Sequence, residues 1–518
     1  MRIPLLFAAC ALAVQAASLC DVTAYGAKND ASARATKAIH DAIQACAKGG
    51  GGTVYFPPGT YETGAIELAS NIVLNIDAGA TLRFHTDLSE YPLVPGRSEG
   101  TEGLTPAPLI GGRNLQNVTI TGRGTLTTDN AAWVRQANNP EARAMWNSVL
   151  DRLEKKETVS EADYRKGAVS LRPAFIRPMD SKNILIEGIH VVGSAFWVIH
   201  LLYCENVVVR NVIVETYPGA NTDGIDVDSS REVRVSDSYF DTGDDAIVLK
   251  SGKGVDGRRV AKPTENITIT NCTFGRAHGA VVIGSETAGG VRNVAASNIV
   301  AKGTEIGIRI KSGRSRGGVV ENLRFDNWVI DNPLKDGILV TNYYVRIPEE
   351  PVSERTPVFR NISISNVTVS GAPVVADIQG LPEMPISGLR IRDLVGAGKR
   401  GLQAFNTKGM ELHNIKIDAA EGPAFLIRDS SDLELDRVET DQALAAVPVI
   451  RLDRVVRAVI QGSRAWLGTG TFLSAAPGLL KSVELDSNHL SAAKTPTEES
   501  STDYWQGIDS PDQALRRP

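Results

Sequence analysis

The sequence predicts an all-β fold, a single right-handed parallel β-helix with an N-terminal capping helix and a helical loop insertion, and three observations carry that prediction. First, one phrase keeps returning: a polar residue, often asparagine, followed by alternating apolar positions. It stands at Asn117–Ile120, Asn183–Ile186, Asn206–Val209, Glu232–Val235, Asn266–Ile269, Asn361–Ile364 and Asn414–Ile417, among others. Outside the gap spanning residues 128–168, its steps run from 18 to 39 residues, mostly in the twenties. A degenerate period of that length marks a solenoid. Second, each unit holds period-two segments such as Val207–Val214, separated by Gly, Asn and Asp, and these read as strands. Third, 48 glycines, 25 prolines and only five methionines suit a turn-rich β protein. One coil cannot cover its own apolar face, so coils stack, with strands of adjacent coils about 4.8 Å apart. Leucine-rich repeats would show leucine at fixed offsets and a helix per unit, and neither is present.

The elements follow in chain order. Residues 1–16 read as a secretory signal, with Arg2 at the start, an apolar stretch from Leu5 to Val14 and a small-residue site ending at Ala16. A secreted protein, extracellular or periplasmic, is expected. No stretch is long enough to span a bilayer. Residues 34–48 form a helix with Ala35, Ala38, Ile39, Ala42, Ile43 and Cys46 on one face, placed to cap the open end of the solenoid. The first coils begin at Thr53. Residues 128–168 carry helical spacing without strand alternation and read as a helical insertion between coils. The β-helix domain is expected over 17–490, followed by a mobile polar tail over 491–518.

Composition narrows the function. The chain has 518 residues, 42% of them hydrophobic, enough for a large core. Its net charge of −5, without a basic block, argues against nucleic acid and anionic membranes as partners. An acidic polymer would then need a local basic patch in the cleft. Once Cys10 leaves with the signal, Cys20, Cys46, Cys204 and Cys272 remain. A Cys20–Cys46 bridge would tie down the N-terminus, whereas Cys204 and Cys272, inside strand-like runs, are expected as buried thiols. No cysteine spacing suits a metal. No metal or cofactor is expected, and the chain is expected to be a monomer.

Four clusters of polar residues stand close together in the middle coils: Asn221-Thr-Asp-Gly-Ile-Asp, Gly243-Asp-Asp-Ala-Ile, His278-Gly running on to Glu286, and Arg309-Ile-Lys. Asp223 and Asp244 are 21 residues apart, about one coil, which stacks them on one wall. His278 and Lys311 are 33 apart, one coil plus a loop. Alternation puts Arg309 and Lys311 on one face while Ile310 turns to the core, and Asn221 shares a face with Asp223. Asp244 and Asp245 are neighbours, and Gly243 before them suggests a bulge or turn that lets both reach the cleft.

Each cluster alone is ordinary: Gly-Asp-Asp is usually a turn, and Arg-Ile-Lys is an amphipathic strand fragment. Their conjunction, in order and at coil spacing, points to glycoside hydrolysis. That reaction needs an acid to protonate the leaving oxygen and a base to activate water. Three crowded aspartates cannot all ionise easily, so one stays protonated. Arg309 and Lys311 suit the carboxylate of a uronic acid. Asp226 and Asp228 are read as outward, solvated turn residues, and His190 and His200 as structural. Asn117, Asn266, Asn271, Asn361 and Asn366, although sequon-like, are read as turn or ladder residues.

These residues resemble the polygalacturonase-type glycoside hydrolases, the pectin-degrading β-helix group. The resemblance spans roughly residues 20–420, from Asp21-Val-Thr-Ala-Tyr-Gly-Ala-Lys through Phe196-Trp and Cys204-Glu-Asn-Val to the four clusters. It implies Asp244 as general acid, Asp223 and Asp245 as activators of water, Asn221 and His278 as supports, and Arg309 and Lys311 as binders of substrate carboxylate. A tyrosine of such enzymes falls at Tyr344, with Tyr343 the alternative. Ala277 departs from the Gly or Ser usual before the histidine. The stretch Ile283–Arg292 looks like the bacterial exo-acting branch, and the insertion at 128–168 could wall off one end of a groove. The reading is inverting, exo-acting hydrolysis of α-1,4-galacturonosyl bonds in polygalacturonan or pectin. The alternatives are a rhamnogalacturonan or xylogalacturonan hydrolase, a calcium-dependent pectate lyase, and a non-catalytic adhesin on the same scaffold.

Overall fold

The computed structural model describes residues 18–345 and 347–505. The expected leader at 1–16 and the chain from 506 lie outside the described residues. The described chain forms a right-handed parallel β-helix. Three parallel sheets run along it. One, the groove sheet, stacks Ile199–Leu202, Ile225–Asp228, Ile247–Lys250, Val281–Ile283, Ile306–Lys311 and Asp336–Thr341 in successive coils. A second stacks Lys182–Glu187, Glu205–Arg210, Arg231–Ser236 and Thr264–Thr270. The third carries His190–Val192, Ile213–Glu215 and Tyr239–Asp241.

The recurring phrase has a physical basis. Its alternate apolar residues, such as Val207 and Val209 or Ile267 and Ile269, are fully buried in the solenoid interior. Its leading asparagines take left-handed backbone angles, with φ of 55° at Asn117 and 60° at Asn266, where asparagine is among the few residues tolerated. Their amides stack from coil to coil: Asn183 Nδ2 donates to Asn117 Oδ1 at 3.0 Å, Asn206 to Asn183 at 2.7 Å, and Asn361 to Asn322 at 2.6 Å. Asn266 donates to Glu232, Asn271 to Asp237 and Asn366 to Asp326. All five sequon-like asparagines are therefore turn and ladder residues.

The N-terminal cap is helix α1 (Thr36–Lys48), which buries Ala38, Ile39, Ala42, Ile43 and Cys46. Cys46 is disulfide-bonded to Cys20, and Cys204 and Cys272 are free and buried. The solenoid starts earlier than Thr53, because Ser18–Asp21 already pairs with Gly52–Phe56. The insertion is three helices: α2 (Asn130–Ala137), α3 (Pro140–Glu154) and α4 (Glu161–Ala168). Each has a side-chain N-cap, from Asp129, Asn139 and Ser160.

Two features depart from the sequence reading. An antiparallel hairpin, Leu93–Ser98 with Thr101–Pro106, lies outside the solenoid and covers part of the groove sheet. The tail expected to be mobile from 491 is packed as far as Trp505. Thr495–Glu499 pairs with Thr471–Ala475, and Trp505 buries its ring among Tyr343, Leu381, Phe405 and Leu426. A polar composition concealed one more strand and one aromatic anchor, whose burial outweighs the ordering cost. Among the described residues, no helix is long and apolar enough to cross a membrane.

Candidate active site

The second sheet alternates buried and outward residues, but Ile199–Leu202, Ile225–Asp228 and Ile247–Lys250 are buried at every position. His200, Asp226, Asp228 and Lys250 are among their outward side chains, and the face at Asp228 is covered by the hairpin. Arg97 reaches down from it and donates to Asp228 Oδ1 at 2.7 Å, while His200 Nε2 lies 3.3 Å from Asp228 Oδ2. Asp226 and Asp228 are thus outward, as alternation requires, but not solvated. Both are fully buried, which corrects the expectation of turn residues in water. His190 is structural in a surface pair, with Nε2 2.6 Å from Glu215. Buried His200 is held down at about 4 by desolvation, so it stays neutral.

The predicted aspartates come together where chain enters the groove sheet. Asp223, Asp244 and Asp245 each place a carboxylate oxygen within 4.8 Å of the others. Register refines the sequence geometry. Ile225 pairs with Ile247, so Asp223 aligns with Asp245 rather than Asp244, and Gly224 N donates to Asp245 O at 3.0 Å. Asp244 is displaced to the sheet edge by the bend at Gly243. A side chain at Gly243 would meet the carbonyl oxygen of Gly219 at 1.8 Å, so only glycine lets the two turns approach. Likewise Val281 pairs with Ile308, which aligns His278 with Glu305 and not with Lys311.

Each carboxylate has different partners. His278 Nδ1 lies 2.9 Å from Asp244 Oδ1, and Asn221 Nδ2 is 3.5 Å from Asp244 Oδ2. Asp245 is clamped by Arg309 Nη1 at 3.1 Å and Lys311 Nζ at 2.7 Å. Asp223 Oδ2 is 3.3 Å from Lys250 Nζ, while its Oδ1 is buried without a hydrogen-bond partner. Tyr344 is exposed, its ring 5.0 Å from Lys311 Nζ, and Tyr343 is buried against Phe405, so Tyr344 is the one facing the cleft. The four clusters converge on one spot.

Electrostatics separates the aspartates. Burial pushes Asp223 up to about 7, with the neighbouring Asp244 and Asp245 charges adding to it against the pull of Lys250. Burial also works to raise Asp244, but the His278 hydrogen bond and the nearby cations hold it below the usual carboxylate range. The same bond to Asp244 raises His278. In the substrate-free protein burial therefore favours the proton on Asp223 over Asp244. The three carboxylates stand close enough to share a cation, yet both oxygens of Asp245 and Oδ1 of Asp244 already accept from protein groups.

Several residues of the site escape the sequence reading. Lys250 is buried, 3.1 Å from Asp226 Oδ1 and 3.8 Å above the Trp197 ring. Arg172, just after the insertion, donates to Asn221 Oδ1 at 2.7 Å and so fixes the residue that touches Asp244. Buried Glu286 sits beneath the hairpin tip. The available signal is alternation: Lys250 pairs in register with Asp228, on the outward face. Nothing in the sequence places Arg97 or Arg172 over that face.

A β-helix whose groove gathers three carboxylates beside paired cations defines a class, the glycoside hydrolases that work on such scaffolds. Residues 57–394 match the Glycosyl hydrolases family 28, and the chain belongs to that family. It is 28% identical over 399 residues to a probable polygalacturonase of Vitis vinifera, covering 75% of each chain. It is 29% identical over 377 residues to an exo-poly-alpha-D-galacturonosidase of Dickeya chrysanthemi, covering 67% of this chain and 62% of that one. Among solved structures, a hyperthermoactive exopolygalacturonase from Thermotoga maritima matches with a TM-score of 0.71 and 30% identity, covering 77% of this chain and 92% of that chain.

Proposed function

We propose that the protein hydrolyses α-1,4-galacturonosyl bonds of polygalacturonan or pectin with inversion, acting from a chain end. The observation that carries this reading is the meeting of Asp223, Asp244 and Asp245 within 4.8 Å, with Arg309 and Lys311 at the same spot. The relatives from Vitis vinifera and Dickeya chrysanthemi, a probable polygalacturonase and an exo-acting galacturonosidase, support the substrate. Asp244, the most accessible of the three aspartates, protonates the leaving oxygen. Asp245, and Asp223 once its own proton has been released, hold and deprotonate the water, and Asn221 and His278 orient Asp244. A uronate carboxylate docks on Arg309 and Lys311 beside Tyr344.

The acid role needs Asp244 to gain a proton when substrate arrives. A docked uronate adds negative charge, draws Arg309 and Lys311 away from Asp245 and expels water, and each of these raises Asp244. His278, already above its usual range, supplies a proton 2.9 Å from Asp244 Oδ1. The carboxylates stand closer than the roughly 6.5–9.5 Å of most inverting pairs. Inversion still requires the water, held by Asp223 and Asp245, to attack the face of the anomeric carbon opposite the leaving oxygen that Asp244 protonates.

Exo action rests on the walls at the N-terminal side of the groove. Lys253 N donates to Gly100 O at the hairpin tip at 3.1 Å. Helix α3 contacts α5 (Gly254–Val260) through Val255 N and Glu154 Oε2 at 3.2 Å. Export and a monomeric state complete the reading, in keeping with a polymeric substrate outside the cell.

Brief digestion of polygalacturonate tests it. Early mono- or digalacturonate with slow loss of viscosity is expected, and proton NMR should show the first product as the inverted anomer. Rapid viscosity loss would reject exo action. An unsaturated, ultraviolet-absorbing product abolished by chelator would replace hydrolysis by elimination.

A further inference from the structure

Downstream of the aspartates the groove sheet continues for several coils. Its strands pair from Ile247 through Val281, Ile308, Ile338 and Ala376 to Leu402. Five coil steps at the usual strand spacing place Leu402 about 24 Å from the catalytic coil. There the outward face opens into a cavity of about 490 Å³, lined by Lys399, Arg400, Gln403, Glu421, Leu426 and Tyr504. Tyr504 belongs to the C-terminal segment, which returns over the coils. Arg451 Nη2 donates to Ser500 O at 2.9 Å and Trp505 Nε1 to Asp453 Oδ2 at 3.0 Å, anchoring it on either side of Tyr504.

We propose that this cavity is a second uronate-binding subsite, which grips the acidic sugar chain beyond the bond being cleaved. The inference rests on the polygalacturonan reading and extends it. If the chain end is held against the walls on the N-terminal side, the rest of the polymer has one direction left, across Arg309 and Lys311 toward Arg400.

The cavity has the chemistry such a chain needs. Arg400 offers a cation to a carboxylate, as does Lys399 from an exposed pair with Glu421 at 3.3 Å, Gln403 offers an amide to hydroxyls, and Tyr504 offers a ring face to a pyranose. Arg400 Nη1 is only loosely held, 3.5 Å from Gln403 Oε1. The floor between the two sites carries Asp336 and Asp377. Burial pushes these up to about 7 and about 6, so in mildly acidic solution this stretch does not repel an anionic chain.

The test compares trigalacturonate, which ends short of the cavity, with an octamer, which reaches it. For the double variant Lys399→Gln, Arg400→Gln, the ratio of octamer to trimer kcat/KM should fall about tenfold, the loss of one anchored contact. Tyr504→Ala should lower the same ratio. An unchanged ratio overturns the subsite, whatever happens to the absolute rates. Calorimetric binding of the octamer to Asp244→Asn, with and without the two Gln substitutions, reads the cavity without turnover. Unchanged affinity there overturns the subsite. Absence of turnover by the native enzyme on both oligomers would instead reject the activity.

Discussion

Lys250 Nζ lies 3.3 Å from Asp223 Oδ2, buried between that aspartate, Asp226 and the face of Trp197. It is the cation that keeps Asp223 from rising further, and Asp223 in turn helps hold Lys250 protonated. Lys250→Met leaves two buried carboxyls without their counter-charge. Unfolding measurements should show a loss of about 3–5 kcal/mol at neutral pH. Asp223 should also ionise only at higher pH, so the acidic limb of the pH–rate profile moves upward. A variant with native stability and an unmoved profile would contradict the role given to this lysine.

Asp223 itself makes stability depend on pH. Its folded value of about 7 stands above the ordinary 3.8, so between those values the folded chain keeps a proton that the unfolded chain has released. The stabilisation is full below about 3.8 and is lost as pH rises through about 7. Asp223→Asn removes this dependence, and its Tm should decline less than that of the native protein between pH 4 and pH 8. Equal slopes would mean that Asp223 is ionised throughout.

Aspartate is nearly isosteric with asparagine, and the Asp244 side chain is held by His278 and Asn221. Asp244→Asn should lower kcat by about a thousandfold, within the range for loss of a general acid, while the fold is retained. Retained turnover would leave the groove without its acid and favour a non-catalytic solenoid.

Arg97 and Asp228 are an ion pair with almost no solvent contact, 2.7 Å apart, and they pin the hairpin to the groove sheet. Arg97→Ala should destabilise by about 3–5 kcal/mol because Asp228 stays buried without its charge partner. Protease cleavage within 93–106 should become faster, and longer oligomers should appear among early products as the wall loosens. If the product distribution stays fixed, the hairpin is not the wall.

The fold was legible because a solenoid writes the same sentence many times. One Asn-Val-Thr-Ile means little, but its recurrence marks both the ladder of left-handed turns and the buried valines and isoleucines between them. The site was legible for a related reason, since coil spacing and alternation bring residues 221–311 to one face. What stayed hidden came from outside the repeat. Arg97, on a hairpin some 130 residues before Asp228, carries no signal of where it will land, and without it Asp226 and Asp228 look solvated. Trp505 follows a Ser-, Thr- and Glu-rich run that reads as disorder, and only the hydrophobic cluster of Tyr343 and Phe405 shows what it is for. The alignment of Asp223 with Asp245 depends on a bend at Gly243 that residue counting passes over by one position.

The groove draws its reacting groups from successive turns of one spring. Asp223, Asp245, His278 and Arg309 belong to successive coils held in fixed register, so a whole coil lost or gained among them would dismantle the chemistry. Coils beyond Lys311 obey no such restriction. Adding or deleting one there would lengthen or shorten the track on which a polymer lies while leaving the scissors untouched, so such proteins can change the size of what they hold without relearning how to cut it.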